Sequence, residues 1–142
     1  MRLLRPIVFA LLVAGTACGE EPLGVSVQGT FSVTGSRSPP ANYEPTFAAQ
    51  GGMGTADLNG NFWGTECGRR LVPEFFRNED QLTFRLTFVP IANVACPAVV
   101  LVSDYEAAFQ AVPAGQYQIW VIYDSEGADD ALRFEAGTVT VR

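Results

Sequence analysis

Histidine is absent from this chain, and so is lysine: all nine basic residues are arginine. Without an imidazole there is no Ser-His-Asp or Cys-His arrangement, and without lysine there is no amine nucleophile. Carboxylate pairs are the remaining route to catalysis, with Glu74, Glu79, Asp80, Asp104 and Glu106 as candidates for a glycosidase-like dyad. Most of these lie in the segment RNED or beside expected turns, where a solvated charge is the ordinary finding. The chain is therefore expected not to be an enzyme. Cysteine is scarce as well, with three in 142 residues and no CxxC, so the residues of an ordinary zinc site are missing. Positive charge is outweighed by fifteen acidic residues, and a surface of that sign repels phosphate backbones and anionic head groups. No nucleic-acid partner is expected.

No apolar run is long enough to cross a bilayer, which takes roughly 20 residues. The longest clear one opens the chain, in MRLLRPIVFALLVAGTAC. Arg2 and Arg5 precede an apolar stretch over 7–14, and the small residues Gly15, Thr16 and Ala17 lead directly to Cys18. That order is a processed export signal. Residues 1–18, ending in GTAC, resemble the signal of bacterial lipoproteins, with one departure: the family usually carries Leu where this chain has Gly15. The resemblance implies removal of residues 1–17, a diacylglycerol thioether on Cys18, and attachment to the bacterial cell envelope. Gly19 gives no sign of inner-membrane retention, which favours the outer membrane. If Cys18 is not lipidated, the same signal implies plain secretion. The remaining 125 residues suit one domain, reached through a short acidic tether, residues 18–24. With Arg2 and Arg5 removed, seven arginines face fifteen carboxylates, a net charge of −8.

A lipid on Cys18 would also explain an odd cysteine count in an exported protein, because Cys67 and Cys96 could then pair with each other. The loop so closed spans about 29 residues and would stabilise the fold by roughly 3 to 4 kcal/mol on the chain-entropy model.

Beyond the tether, apolar and polar residues alternate. Val25, Val27, Phe31 and Val33 form one such set; Leu82, Phe84, Leu86 and Phe88 form the clearest, ended by Pro90. Others are Tyr105, Ala107, Phe109 and Ala111, and then Tyr117, Ile119, Val121 and Tyr123. This period of two predicts half-buried strands. Asn59-Gly60 predicts a tight hairpin turn between strands over 53–58 and 61–65, Pro73 predicts an edge strand over 70–76, and residues 98–102 read as a further apolar segment. In the last strand the apolar set jumps from Leu132, Phe134 and Ala136 to Val139 and Val141 across Gly137, which predicts a β-bulge. Residues 35–45 are a Pro-rich loop. The glycines Gly51, Gly52 and Gly54 match no phosphate-binding pattern and read as a loop or edge.

About seven to nine short strands with turns every eight to twelve residues predict an all-β fold, an antiparallel β-sandwich over residues 25–142. The turn Pro113-x-Gly115-x-Tyr117 leading into the next strand resembles the closing segment of bacterial immunoglobulin-like and transthyretin-like domains. The resemblance implies architecture; such sandwiches host adhesion, carbohydrate binding, inhibition and spacing alike. Three ligand features remain open. Trp63 and Trp120, with Tyr43 and Tyr105, offer rings for a sugar, unless Trp120 is covered on a central strand. Asp124, Glu126, Asp129 and Asp130 offer oxygens to calcium, unless they simply solvate a hairpin loop. The Pro-rich loop over 35–45 would suit a protease inhibitor only if it projects. An unknown protein or glycan partner, a membrane held through lipid, and no cofactor other than calcium are what the sequence allows. Its first expectation is an envelope or cell-surface structural or protein-interaction module.

Overall fold

The computed structural model describes residues 23–142; Cys18 and the signal lie outside them. The described chain is all-β, nine strands in two packed sheets: β1 (Val25–Ser26), β2 (Gly29–Arg37), β3 (Phe47–Gly51), β4 (Thr55–Trp63), β5 (Arg69–Asn78), β6 (Gln81–Pro90), β7 (Val102–Gln110), β8 (Gly115–Ser125) and β9 (Leu132–Val141). One sheet has the order β1-β5-β6-β8-β9 and the other β2-β7-β4-β3. The β-sandwich is thus as expected. Its ladders are antiparallel except β6 with β8, which run parallel because β7 crosses to the other sheet between them.

The inward positions of the two sheets meet in one core. Leu82, Phe84 and Leu86 of β6 and Ile119 and Val121 of β8 face Leu58, Phe62, Tyr105 and Phe109 of the opposite sheet, all essentially inaccessible. Phe75 sits between, 5.2 Å from the rings of both Phe84 and Phe109. Burying such side chains is worth roughly 1.5–3 kcal/mol each, which is what makes the period-two alternation binding on the register. The lateral edges are stitched where the chain switches sheets. β1 pairs with β5, the Val27 amide donates to the Phe75 carbonyl, and β2 continues on β7 in the other sheet. Opposite, the backbone of Arg142 exchanges hydrogen bonds with Gly52 and Gly54.

Two local expectations are corrected. Asn59-Gly60 is no turn: β4 runs straight through it, with Asn59 outward and Gly60 inward. Leu58, Gly60 and Phe62 continue one inward series, and the Tyr105 hydroxyl and ring edge fill the place a side chain at Gly60 would take. The hairpin instead turns at Gly52–Gly54, after β3, a strand the alternation did not announce. The apolar segment over 98–102 is exposed through residue 100 and joins no strand until β7 begins at Val102. Val25 faces solvent, because its segment leaves the core as it changes sheets. Two subtler expectations are met. Pro73 is exposed on β5 where β1, pairing only Phe76 and Arg77, does not reach. The β8–β9 ladder shifts by one residue at Gly137, whose φ is +127°.

The sandwich is polar end to end. At one pole lie the tight turns after β3, β5 and β7, together with Leu23, which lines a depression with Asn78, Glu79 and Asp80. The chain enters the domain there. At the other pole lie the long loops 38–46, 91–101 and 126–131 and the turn 64–68. The ten residues of β5 run between the poles, roughly 30 Å at about 3.3 Å per residue.

Candidate functional site

At the pole remote from the chain's entry, Cys67 and Cys96 are joined by a disulfide, Cα to Cα 5.8 Å. It ties the turn 64–68 to the loop 91–101, a stretch with no charged residue in which 91–100 are all exposed. Ile91, Val94, Val99 and Val100 are among its large apolar side chains in water. The base of the loop is rigid. The Ile91 amide donates to the Gly68 carbonyl at 2.8 Å, the Gly64 amide to the Leu101 carbonyl at 2.7 Å, and the buried Ser103 hydroxyl to the Gly64 carbonyl at 2.8 Å. Beneath it Arg69 donates to the carbonyls of Thr65 and Trp63 while its guanidinium lies over Phe88, 4.4 Å from the ring centre. Burial lowers the pKa of Arg69, the usual cost of taking a cation from water, offset here by carbonyls and ring faces.

On the outer face of the four-stranded sheet, close to the same pole, Trp63 is 52% exposed and rests against Tyr43, ring centres 5.3 Å apart and tilted by 48°. The end of loop 38–46 is held against the sheet through Tyr43 and Thr46. The Tyr43 hydroxyl donates to Asn61 Oδ1 at 2.9 Å, and Asn61 Nδ2 donates to the Thr46 hydroxyl at 2.6 Å. Asn61 is thereby buried on an otherwise open face, and burial raises the Tyr43 phenol pKa. Arg37 and Asp104 form an ion pair beside it at 3.2 Å.

Trp120 lies elsewhere, on the outer face of the five-stranded sheet. It is half-buried on the interior strand β8, with the Arg133 guanidinium 4.4 Å above its ring. Its Nε1 is enclosed and without a hydrogen-bond partner among the described residues. The two tryptophans are therefore on opposite sheets and cannot form one platform. The second ring of the Trp63 site is Tyr43, whereas Tyr105 is core.

The acidic residues do not converge. Asp124 accepts from Arg85, which also approaches Glu74 at 4.0 Å; Glu126, Asp129 and Asp130 are exposed in the loop beyond. Among the described residues no three His, Cys, Asp or Glu are gathered so as to hold a metal ion. Of the carboxylates considered for catalysis, Asp104 is engaged by Arg37, Glu79 and Asp80 form the β5–β6 turn, and Glu106 stands outward on β7.

Sequence reasoning missed two features. The apolar loop was read only in part, as an apolar segment over 98–102; its signal is the complete lack of charge over 91–101 around a Cys-Pro step. The polar surface of the four-stranded sheet was hidden by reading Asn59-Gly60 as a turn, which broke β4 in two. Among known proteins, no family model, no curated protein and no solved structure matches this chain.

Proposed function

We propose that this chain is an exported, lipid-anchored, non-catalytic β-sandwich of the immunoglobulin-like type that acts at the bacterial cell envelope as a protein-interaction module. It offers the loop 91–101 to an apolar surface of a partner. The observation that carries the reading is the polarity of the domain. The chain enters at the pole of tight turns, and the uncharged, exposed, disulfide-pinned loop stands about 30 Å away at the other. A domain held through Cys18 by a seven-residue tether would present that loop outward, away from its own anchor. A loop fixed in advance loses little conformational entropy on binding, and contiguous exposed apolar side chains mark interaction surfaces. The net negative charge of the chain adds selectivity, since it repels acidic partners that the apolar loop alone would tolerate.

The experiment is site-specific photo-crosslinking in intact cells from position 99, with position 140 on the far part of β9 as the control. One discrete adduct at 99, lost on Val100→Asp and absent at 140, is the expected result. No adduct at 99, or equal adducts at both positions, overturns the reading. The inhibitor alternative has less support, because Tyr43 of the Pro-rich loop is held against Asn61 and Trp63. The carbohydrate alternative gains one, in the exposed pairing of Trp63 with Tyr43.

A further inference from the structure

The outer face of the four-stranded sheet differs from a merely solvated one. A solvated face carries mostly long charged side chains; here most outward positions along the middle of β2, β3, β4 and β7 are short, with Glu106 and Gln50 as the longer ones. Ser32 and Asn59 flank Glu106, and Ala108 lies between Thr30 and Asp57, with Ala48 beside Asn59. Short side chains along the middle of a twisted sheet leave a trough. It appears as two depressions of about 300 and 420 Å³ that share Asn59 and Glu106 as their common floor. Both volumes lie in the range of small-ligand sites, about 300–1,000 Å³.

We propose that this trough is a saccharide-binding groove, with Trp63 and Tyr43 as its stacking end and Asn59, Glu106, Asp57 and Gln50 as its hydrogen-bonding floor. A sugar ring has an apolar C–H face and a belt of hydroxyls. The first wants an aromatic surface, the second wants amides and carboxylates that donate and accept in a plane. Both occur along β4: Trp63 and Asp57 are six residues apart, about 20 Å along the strand, and Asn61, which lines the trough, bonds Tyr43 beside Trp63. That length suits a chain of rings more than a single one. The stacking end is preorganised, because Asn61 holds Tyr43 and the Thr46 backbone in place before any ligand arrives. Such fixing limits the entropy lost on binding.

Charge decides the class of sugar. The trough and its rim carry Asp57, Asp104 and Glu106 against Arg37 alone. It therefore takes neutral or N-acetylated oligosaccharides and repels uronic or phosphorylated ones. This inference rests on neither the lipid anchor nor the apolar loop, and the groove and loop 91–101 are separate surfaces.

The test is titration of the detergent-solubilised full chain with cellohexaose, maltohexaose, chitohexaose and a galacturonic acid hexamer, followed by calorimetry and tryptophan fluorescence. At least one neutral hexasaccharide is expected to bind and the uronate is not. Trp63→Ala and Tyr43→Ala should each weaken binding about tenfold or more. Trp120→Phe, on the other sheet, should leave it unchanged, and Glu106→Gln should narrow the gap between neutral and uronic sugars. Melting curves confirm that each variant is folded. Binding of no neutral hexasaccharide, equal binding of the uronate, or undiminished binding by folded Trp63→Ala overturns the proposal.

Discussion

Asn61 joins the two faces of its sheet. Its side chain holds Tyr43 outside, and its backbone carbonyl accepts the Tyr123 hydroxyl inside at 2.7 Å. Tyr123 in turn lies 3.0 Å from the Tyr105 hydroxyl, oxygen to oxygen. The two phenols form a short polar chain within an aromatic core, and the space for it exists because residue 60 is glycine. Burial holds both phenols well above the ordinary tyrosine range; Tyr105 raises Tyr123 further through its charge and hydrogen bond, while the hydrogen bond with Tyr123 offsets part of the rise at Tyr105. The sign of the pH effect follows. Below pH about 10 the tyrosines are neutral in folded and unfolded chain alike, and stability does not depend on them. Above that value the unfolded chain releases protons that the folded chain keeps, so stability falls as pH rises. The slope reaches about 1.4 kcal/mol per pH unit for each group. Denaturant melts between pH 8 and 11.5 should show this fall, and Tyr123→Phe should make it shallower. The same variant should cost about 1–2 kcal/mol at pH 7 by leaving the Asn61 carbonyl without its donor. A slope unchanged by Tyr123→Phe would exclude the pair as its source.

Among the elements, β8 and β9 show what a sequence can state and β4 what it conceals. The Pro113-x-Gly115-x-Tyr117 turn was legible because its residues are also its mechanism: the Tyr117 hydroxyl donates to the Pro113 carbonyl at 2.9 Å, and the ring lies against Gly115. Gly137 was legible for the same reason, since only a one-residue slip reconciles Ala136 with Val139 on one core. A pair of variants separates its backbone role from mere small size. A Cβ on Gly137 would meet open space but a φ of +127°, whereas one on Gly35 would meet open space alone. Gly137→Ala should therefore destabilise by about 1–3 kcal/mol, and Gly35→Ala should stay within about 0.5 kcal/mol; chemical denaturation of both reads the difference. Equal effects would mean that the bulge tolerates a side chain. By contrast, Asn59-Gly60 carries a strong local turn preference that tertiary packing overrides, because the partner that fills the gap, Tyr105, is far away in sequence. The groove followed that error out of sight. Trp63 was recognised as a ligand candidate, yet its true neighbour Tyr43 arrives by a loop whose path no periodicity specifies.

For the whole molecule, the disulfide lies at the pole opposite Leu23, where the chain enters the domain, and the proposed anchor can be tested apart from it. Cys67 and Cys96 are exposed and lie outside the core, so serine in their place leaves no cavity, and the loss is that of the crosslink. The double variant Cys67→Ser, Cys96→Ser should melt with a loss of about 2–5 kcal/mol while keeping its β-sheet circular dichroism; loss of the fold itself would show the pin to be essential. The anchor is a question of what else could hold the domain at a membrane. No helix among the described residues is long and apolar enough to cross one. The seven arginines left after residue 17 are outweighed by fifteen carboxylates, which removes attraction to anionic lipid as a second means. Acyl chains supply about 0.8 kcal/mol per buried methylene, and one chain alone binds only marginally, so the anchor proposed at Cys18 calls for a multiply acylated terminus. Two results should therefore go together. The natural chain should stay with the membrane fraction through a high-salt wash and show, by intact mass, a terminus at Cys18 with added lipid. Cys18→Ser should appear in the soluble fraction as a folded domain with the same melting temperature. A Cys18→Ser chain that still sediments with membranes would shift the attachment from the lipid to a partner, for which loop 91–101 would be the first place to look.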